Sequence, residues 1–236
     1  MSRALQGAAG AFESGQRRRA SDLRITLIAL AALVLWEWFG GDLPAAHVYG
    51  TATGFALRDA WLTSTLAHAG GRILGWCVLA FLVVDAWRQW LPGPVRAERM
   101  RWLVATIVCL LFIPLIKRYS QTSCPWDLAE FGGTAHYAPH WLRGVVDGGP
   151  GHCFPSGHAV AAFAFFSGYF LLRRHTPTLA RTWLGAVLML GFAFGWAQLA
   201  RGAHYPSHTL WSAWLCWAVC VAIDRVPRPG PRTATP

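Results

Sequence analysis

Six apolar blocks, set apart by short arginine-bearing segments, constrain this chain more than any other feature. They run roughly Leu23–Phe39, Arg72–Ala86, Met100–Ile116, Pro155–Leu172, Thr182–Leu199 and His208–Ile223. Each is near the ~17–25 residues that cross the hydrocarbon of a bilayer. A segment in lipid must satisfy its own backbone polar groups, so each block predicts a helix. The expected fold is all-α, a polytopic membrane protein with six transmembrane helices. Glu37 and Asp85 stand near the ends of the first two blocks, where water is expected to reach them. Charged residues make up only 14% of the chain and hydrophobic ones 54%, against about 25% charged in soluble domains. That balance excludes disorder and argues against a water-soluble globule. The formal charge of +10 raises nucleic acid as a partner. The cations, however, cluster between apolar blocks, a membrane pattern and not a binding stripe, so no nucleic acid is expected.

The same cations predict orientation. With a cytoplasmic N-terminus, 15 fall on the cytoplasmic side and six outside: Arg58, Arg72, Lys117, Arg118, Arg143 and Arg201. The positive-inside rule then places both termini in the cytoplasm. The polar lead and the absence of a convincing cleavage site make the first block a retained helix. The expected organisation is a cytoplasmic tail over 1–22, a six-helix membrane domain over 23–224 and a disordered, Pro-rich tail over 225–236. In the first outer loop, apolar residues between Phe55 and His68 recur at helical spacing, which suggests a helix lying in the interface.

Eight of the nine histidines map to the outer side, and three polar clusters meet there. One is Lys117-Arg118 running on to Cys124-Pro125-Trp126-Asp127. The second is Cys153-Phe154-Pro155-Ser156-Gly157-His158. The third is Gln198 to His208, with Arg201, His204 and Ser207. Proline suits a first helical turn, and a helix N-terminus offers free N–H groups and a positive dipole end to phosphate. Ser156 and Gly157 let the backbone approach an anion. Lys117, Arg118 and Arg201 add positive charge, and His158 and His204 supply an acid and a nucleophile. His68, His136, His140 and His152 read as surface residues. No paired Cys-x2-Cys or His-Glu-x-x-His arrangement accompanies His152, Cys153 and His158, so neither metal nor other cofactor is expected.

These residues resemble the type-2 phosphatidic acid phosphatase superfamily, whose motifs read Lys-x6-Arg-Pro, Pro-Ser-Gly-His and Ser-Arg-x5-His-x3-Asp. Here they correspond to Lys117 with Pro125, to Pro155–His158, and to His204 with His208. The resemblance implies a metal-independent phosphatase that works through a phosphohistidine. It makes His204 the nucleophile, His158 the general acid, and Lys117, Ser156 and Gly157 phosphate binders. The chain departs from the motifs at Cys124, Ala197, Gln198 and His208, which stand where the family has Arg, Ser, Arg and Asp. Arg118 and Arg201 are candidates to replace the two arginines. His208 is a candidate to orient His204, with Asp127 or Asp147 supplying the missing negative charge.

Cys124 and Cys153 both lie outside, one in each of two motifs, and an oxidising compartment such as a periplasm permits a disulfide between them. The other cysteines read as small buried hydrophobes. The expected substrate is a membrane lipid phosphate: phosphatidate, phosphatidylglycerophosphate, polyprenyl pyrophosphate or lipid A phosphate. Transfer to a second lipid, or a non-catalytic lipid-binding role, are the alternatives.

Overall fold

The computed structural model describes residues 2–142 and 144–227, with side chains for residue 13 and from residue 15 onward. Arg143 and most of the Pro-rich end, which carried expectations above, lie outside the described residues. Helix α1 spans Ser2–Trp38, so the helix begins far before the expected boundary at residue 23. A short α2 (Asp42–His47) follows, then an antiparallel hairpin of β1 (Gly50–Thr51) and β2 (Gly54–Phe55). A π-helical segment, Trp61–Gly70, runs directly into α3 (Gly71–Arg88). Then come α4 (Arg96–Arg118), a long loop with two 3-10 turns, α5 (Val160–Phe163), α6 (Phe166–Leu172), α7 (Pro177–Ala200) and α8 (Pro206–Arg225).

Among the described residues, three helices are long and apolar enough to cross a membrane: Trp61–Arg88, Arg96–Arg118 and Pro177–Ala200. The other expected spans are helical but fall short of that standard by length or composition. Much of the apolar surface faces outward, including Ile28, Ile73, Leu111 and Met189. That inversion suits a chain whose solvent is hydrocarbon. The buried core lies between the helices, where Trp102, Phe163, Phe166, Phe170 and Trp217 pack together.

Two sequence expectations change. The stretch before His68 is not a separate interfacial helix, because residues 61–70 extend the second span continuously. The fourth block is not one helix from Pro155. Ser156 N–H donates to His208 O at 3.1 Å, and Ser156 O accepts Ser212 Oγ at 2.9 Å. Those bonds hold residue 156 on α8, so the helix starts only at Val160. The break between α5 and α6 has a side-chain cause, since Trp183 Nε1 donates to Phe165 O at 2.7 Å.

Buried charges join the helices at the end opposite His158 and His204. Asp85 is 1% exposed and Arg99 3%, so water does not reach them as expected. Arg99 donates to Asp85, whose second oxygen accepts Leu91 N–H at 2.7 Å. Arg173 grips Asp22 through two bonds of 2.8 and 2.9 Å and also reaches Asp224 at 3.1 Å, tying α1 to α6 and α8. Breaking one partner of such a pair costs ~3–5 kcal/mol, whereas replacing both by apolar residues is often neutral. Asp85→Ala should therefore lower the melting temperature in detergent more than the double variant Asp85→Leu/Arg99→Leu. Equal melting of the two would show that the ion pair does not act as a unit.

Candidate active site

The three polar clusters meet where the long loop, the α7–α8 turn and the start of α5 converge. His204 lies in that turn, 2% exposed. Its backbone is set by Gln198 O, which accepts the N–H groups of Ala203 and His204 at 2.8 and 3.3 Å. Gly202 has φ +73°, and a Cβ there would strike the Phe55 ring at 2.4 Å. Only glycine meets both conditions. Trp126 N–H donates to Gly202 O at 2.9 Å, so the long loop clasps this turn.

The His158 and His204 rings stand 6.1 Å apart between centroids. Lys117 approaches from α4: a Cβ added to Gly157 would meet only its Cδ, at 3.9 Å. Ser156 Oγ and His158 Nδ1 are buried without partners. Burial first, then the charges of His68, Lys117, Arg201 and Arg72, pushes His158 down to about 3. Burial, with Lys117 and His208 beside it, holds His204 well below the ordinary histidine range. Both rings are neutral at pH 7 in the unliganded protein. A phosphate dianion between them would oppose those cations and favour protonation of His158.

Cys124 and Cys153 form a disulfide, S–S 2.09 Å. It fastens the loop after α4 to the segment before Pro155. Cys153 Sγ also lies 3.5 Å from His204 Nδ1. The two sulfurs and a His204 ring nitrogen fall within 4.8 Å of one another. With both sulfurs spent on the bond, the trio offers no thiolate and does not fit a metal.

Other expected residues divide. Lys117, Ser156, Gly157, His158, His204 and His208 come together, while Arg201 donates its Nε–H to Arg58 O at 2.7 Å and acts on His158 through its charge. Arg118 does not: it is exposed at the end of α4, and among the described residues it makes no contact with the histidines. Asp127 and Asp147 are also elsewhere employed. Asp147 accepts from Ser123 N–H, Ser123 Oγ and Gly149 N–H, and Asp127 accepts Cys124 N–H at 3.1 Å. Both carboxylates fold the loop and leave His208 unserved. The helix-dipole argument for Pro155–His158 also lapses, because these residues precede a four-residue helix.

His68, expected to be a surface residue, instead has its ring 4.1 Å from that of His158. Arg72 follows it by four residues and acts on the same ring. That i, i+4 pair of a histidine and an arginine at the end of an apolar span was the available signal. Gln198 was expected only as a departure from the motif. It is 1% exposed, with both amide atoms buried and unpartnered.

A family model described as the PAP2 superfamily matches residues 99–229, more than half of the chain. The chain belongs to that superfamily. Its fold is similar to the crystal structure of a transmembrane PAP2-type phosphatidylglycerolphosphate phosphatase from Bacillus subtilis, with TM-score 0.55 and 17% identity. That similarity covers 89% of this chain and 98% of the other. No curated protein matches the chain significantly.

Neutral burial of histidines has a stability consequence. Burial lowers His140 to about 4 and His158 to about 3, and His204 is also depressed. The unfolded chain takes up these protons near pH 6.5 and the folded one does not. Stability should therefore fall as pH drops from about 6.5 toward 4, by up to ~1.4 kcal/mol per pH unit for each histidine. Melting in detergent at pH 7 and pH 5 checks this, with a smaller drop expected for His140→Phe. A melting temperature that rises at pH 5 would contradict it.

Proposed function

We propose that the chain hydrolyses the phosphomonoester or pyrophosphate of a membrane lipid through a phosphohistidine on His204. The observation that carries this reading is the facing pair His204 and His158, flanked by Lys117, Arg72 and Arg201, at the ends of membrane-length helices. Cations and buried donors arranged before the reaction stabilise a transferring phosphoryl group without reorganisation. His204 Nε2 attacks phosphorus while the bond to the lipid oxygen breaks, and His158 gives that oxygen its proton. Water then attacks the phosphohistidine and passes a proton back to His158. Phosphate leaves and His204 is restored.

A lipid substrate is supported by a second feature. An apolar cavity of about 770 Å³ adjoins the site behind Phe154 and His140, with Ile116, Leu142, Trp211 and Leu215 in its wall. It is separate from the His158–His204 pair, so it suits the chains of a lipid and not its phosphate. The charge distribution of the sequence favours a bacterial inner membrane, with both termini cytoplasmic and the site facing the periplasm.

Phosphate release from a panel of lipid phosphates, measured in EDTA, tests the reading. Release should resist the chelator and vanish in His204→Ala. Arg72→Ala and Arg201→Ala should each cost about 10- to 100-fold, and Arg118→Ala less than about twofold. Reducing the Cys124–Cys153 bond with a dithiol should lower the rate several-fold, by freeing the loop that places Ser156. No release from any lipid phosphate, or full release by His204→Ala, would end the proposal.

A further inference from the structure

A histidine that attacks through Nε2 must carry its proton on Nδ1, and an acceptor beyond Nδ1 sets that tautomer. Here His204 Nδ1 has two neighbours, the disulfide sulfur Cys153 Sγ at 3.5 Å and another imidazole, His208 Nδ1, at 3.4 Å, and the neutral Cys153 carbonyl bears on both rings. An imidazole by itself leaves the choice open, because each neutral ring has one N–H and one lone pair. His208 also lines a cavity of about 10 Å³, together with Glu37, Asp42, Tyr137, His140 and Tyr205. That volume approaches what a single water requires. Tyr205 is 1% exposed, and its hydroxyl is buried without a partner. Across the cavity, His140 Nδ1 lies 3.3 Å from Glu37 Oε1, with both side chains mostly buried. The His140 and His208 rings meet edge-on at 6.3 Å. Asp42, the other carboxylate here, is already held by Ser207 and Trp36.

We propose that Glu37 is a positioning residue for His204, acting through His140, one water and His208. The proposal rests on the phosphohistidine reading. A carboxylate can only accept, so it draws the His140 Nδ1–H and leaves the Nε2 lone pair of that ring for the water. The water accepts the Nε2–H of His208. The Nδ1 lone pair of His208 then accepts the Nδ1–H of His204, and the attacking Nε2 is left unprotonated. The carboxylate adds a charged acceptor at the far end of this chain of donors, beyond the neutral Cys153 carbonyl, and its negative charge supports the cation that His204 becomes when phosphorylated.

The test uses the full chain in detergent with the lipid phosphate it hydrolyses fastest. Glu37→Gln keeps the shape and the acceptor for Trp211 Nε1, which lies 2.8 Å from Glu37 Oε1, and removes only the charge. Its kcat should fall about tenfold with KM changed less than about twofold. His208→Asp places a carboxylate beside His204 directly. In that background Glu37→Gln should cost less than about twofold. The losses of Glu37→Gln and His140→Gln should also be non-additive. Wild-type kcat in Glu37→Gln, equal losses in both backgrounds, or additive losses would overturn the proposal. A wild-type chain that releases no phosphate counts against the phosphatase reading alone. The tautomer is then read directly by nitrogen NMR of histidine-labelled chain. His204 should be Nδ1-protonated in the wild type and mixed in Glu37→Gln; identical spectra would overturn the proposal.

Discussion

The site depends on a clasp between two backbones. Ser156 donates its N–H to His208 O and accepts Ser212 Oγ, so the loop carrying His158 hangs on the helix carrying His208. That contact helps to bring His158 to His204. The Cys124–Cys153 bond secures the loop from its other side, and Trp126 holds the turn of His204 through Gly202 O. These are backbone and covalent restraints, which vary little with side-chain motion. They suit a phosphoryl site, where placing donors matters more than any one group's reactivity.

Burial then sets the chemistry. The histidines are wrapped by rings and helices and kept neutral by desolvation, with cations close enough to reinforce that state. The same wrapping explains the polar atoms without partners at Ser156, His158 and Gln198. Such atoms are costly in a folded core unless a ligand satisfies them. At the opposite end of the bundle the buried polar groups have found each other instead, as Asp22 with Arg173 and Asp85 with Arg99. One end of the bundle is thus closed by ion pairs, and the other holds donors with unused capacity.

Membrane character and the convergence of three polar clusters at one set of helix ends were legible from composition and spacing, and the family from the resemblance of the motifs. Apolar length and charge bias act locally along the chain, and short motifs carry their own spacing. The departures at Cys124, Gln198 and His208 were equally plain, but what stands in their place was not. Arg118 looked suitable because it adjoins Lys117, yet the helical turn points it away while Arg72 arrives from a different span. Asp127 and Asp147 looked suitable because they share the loop, yet backbone amides of that loop consume them.

The sequence by itself determined the membrane character of the chain and that its histidines gather at one set of helix ends. Tertiary structure alone decided where the fourth helix begins, which cations reach His158, and that His68, His140 and Glu37 adjoin the site. The physical reason is that periodicity and charge bias are summed over neighbours in sequence. Contacts such as Glu37 with His140, or Ser156 with His208, join residues far apart in the chain and exist only once the helices have packed.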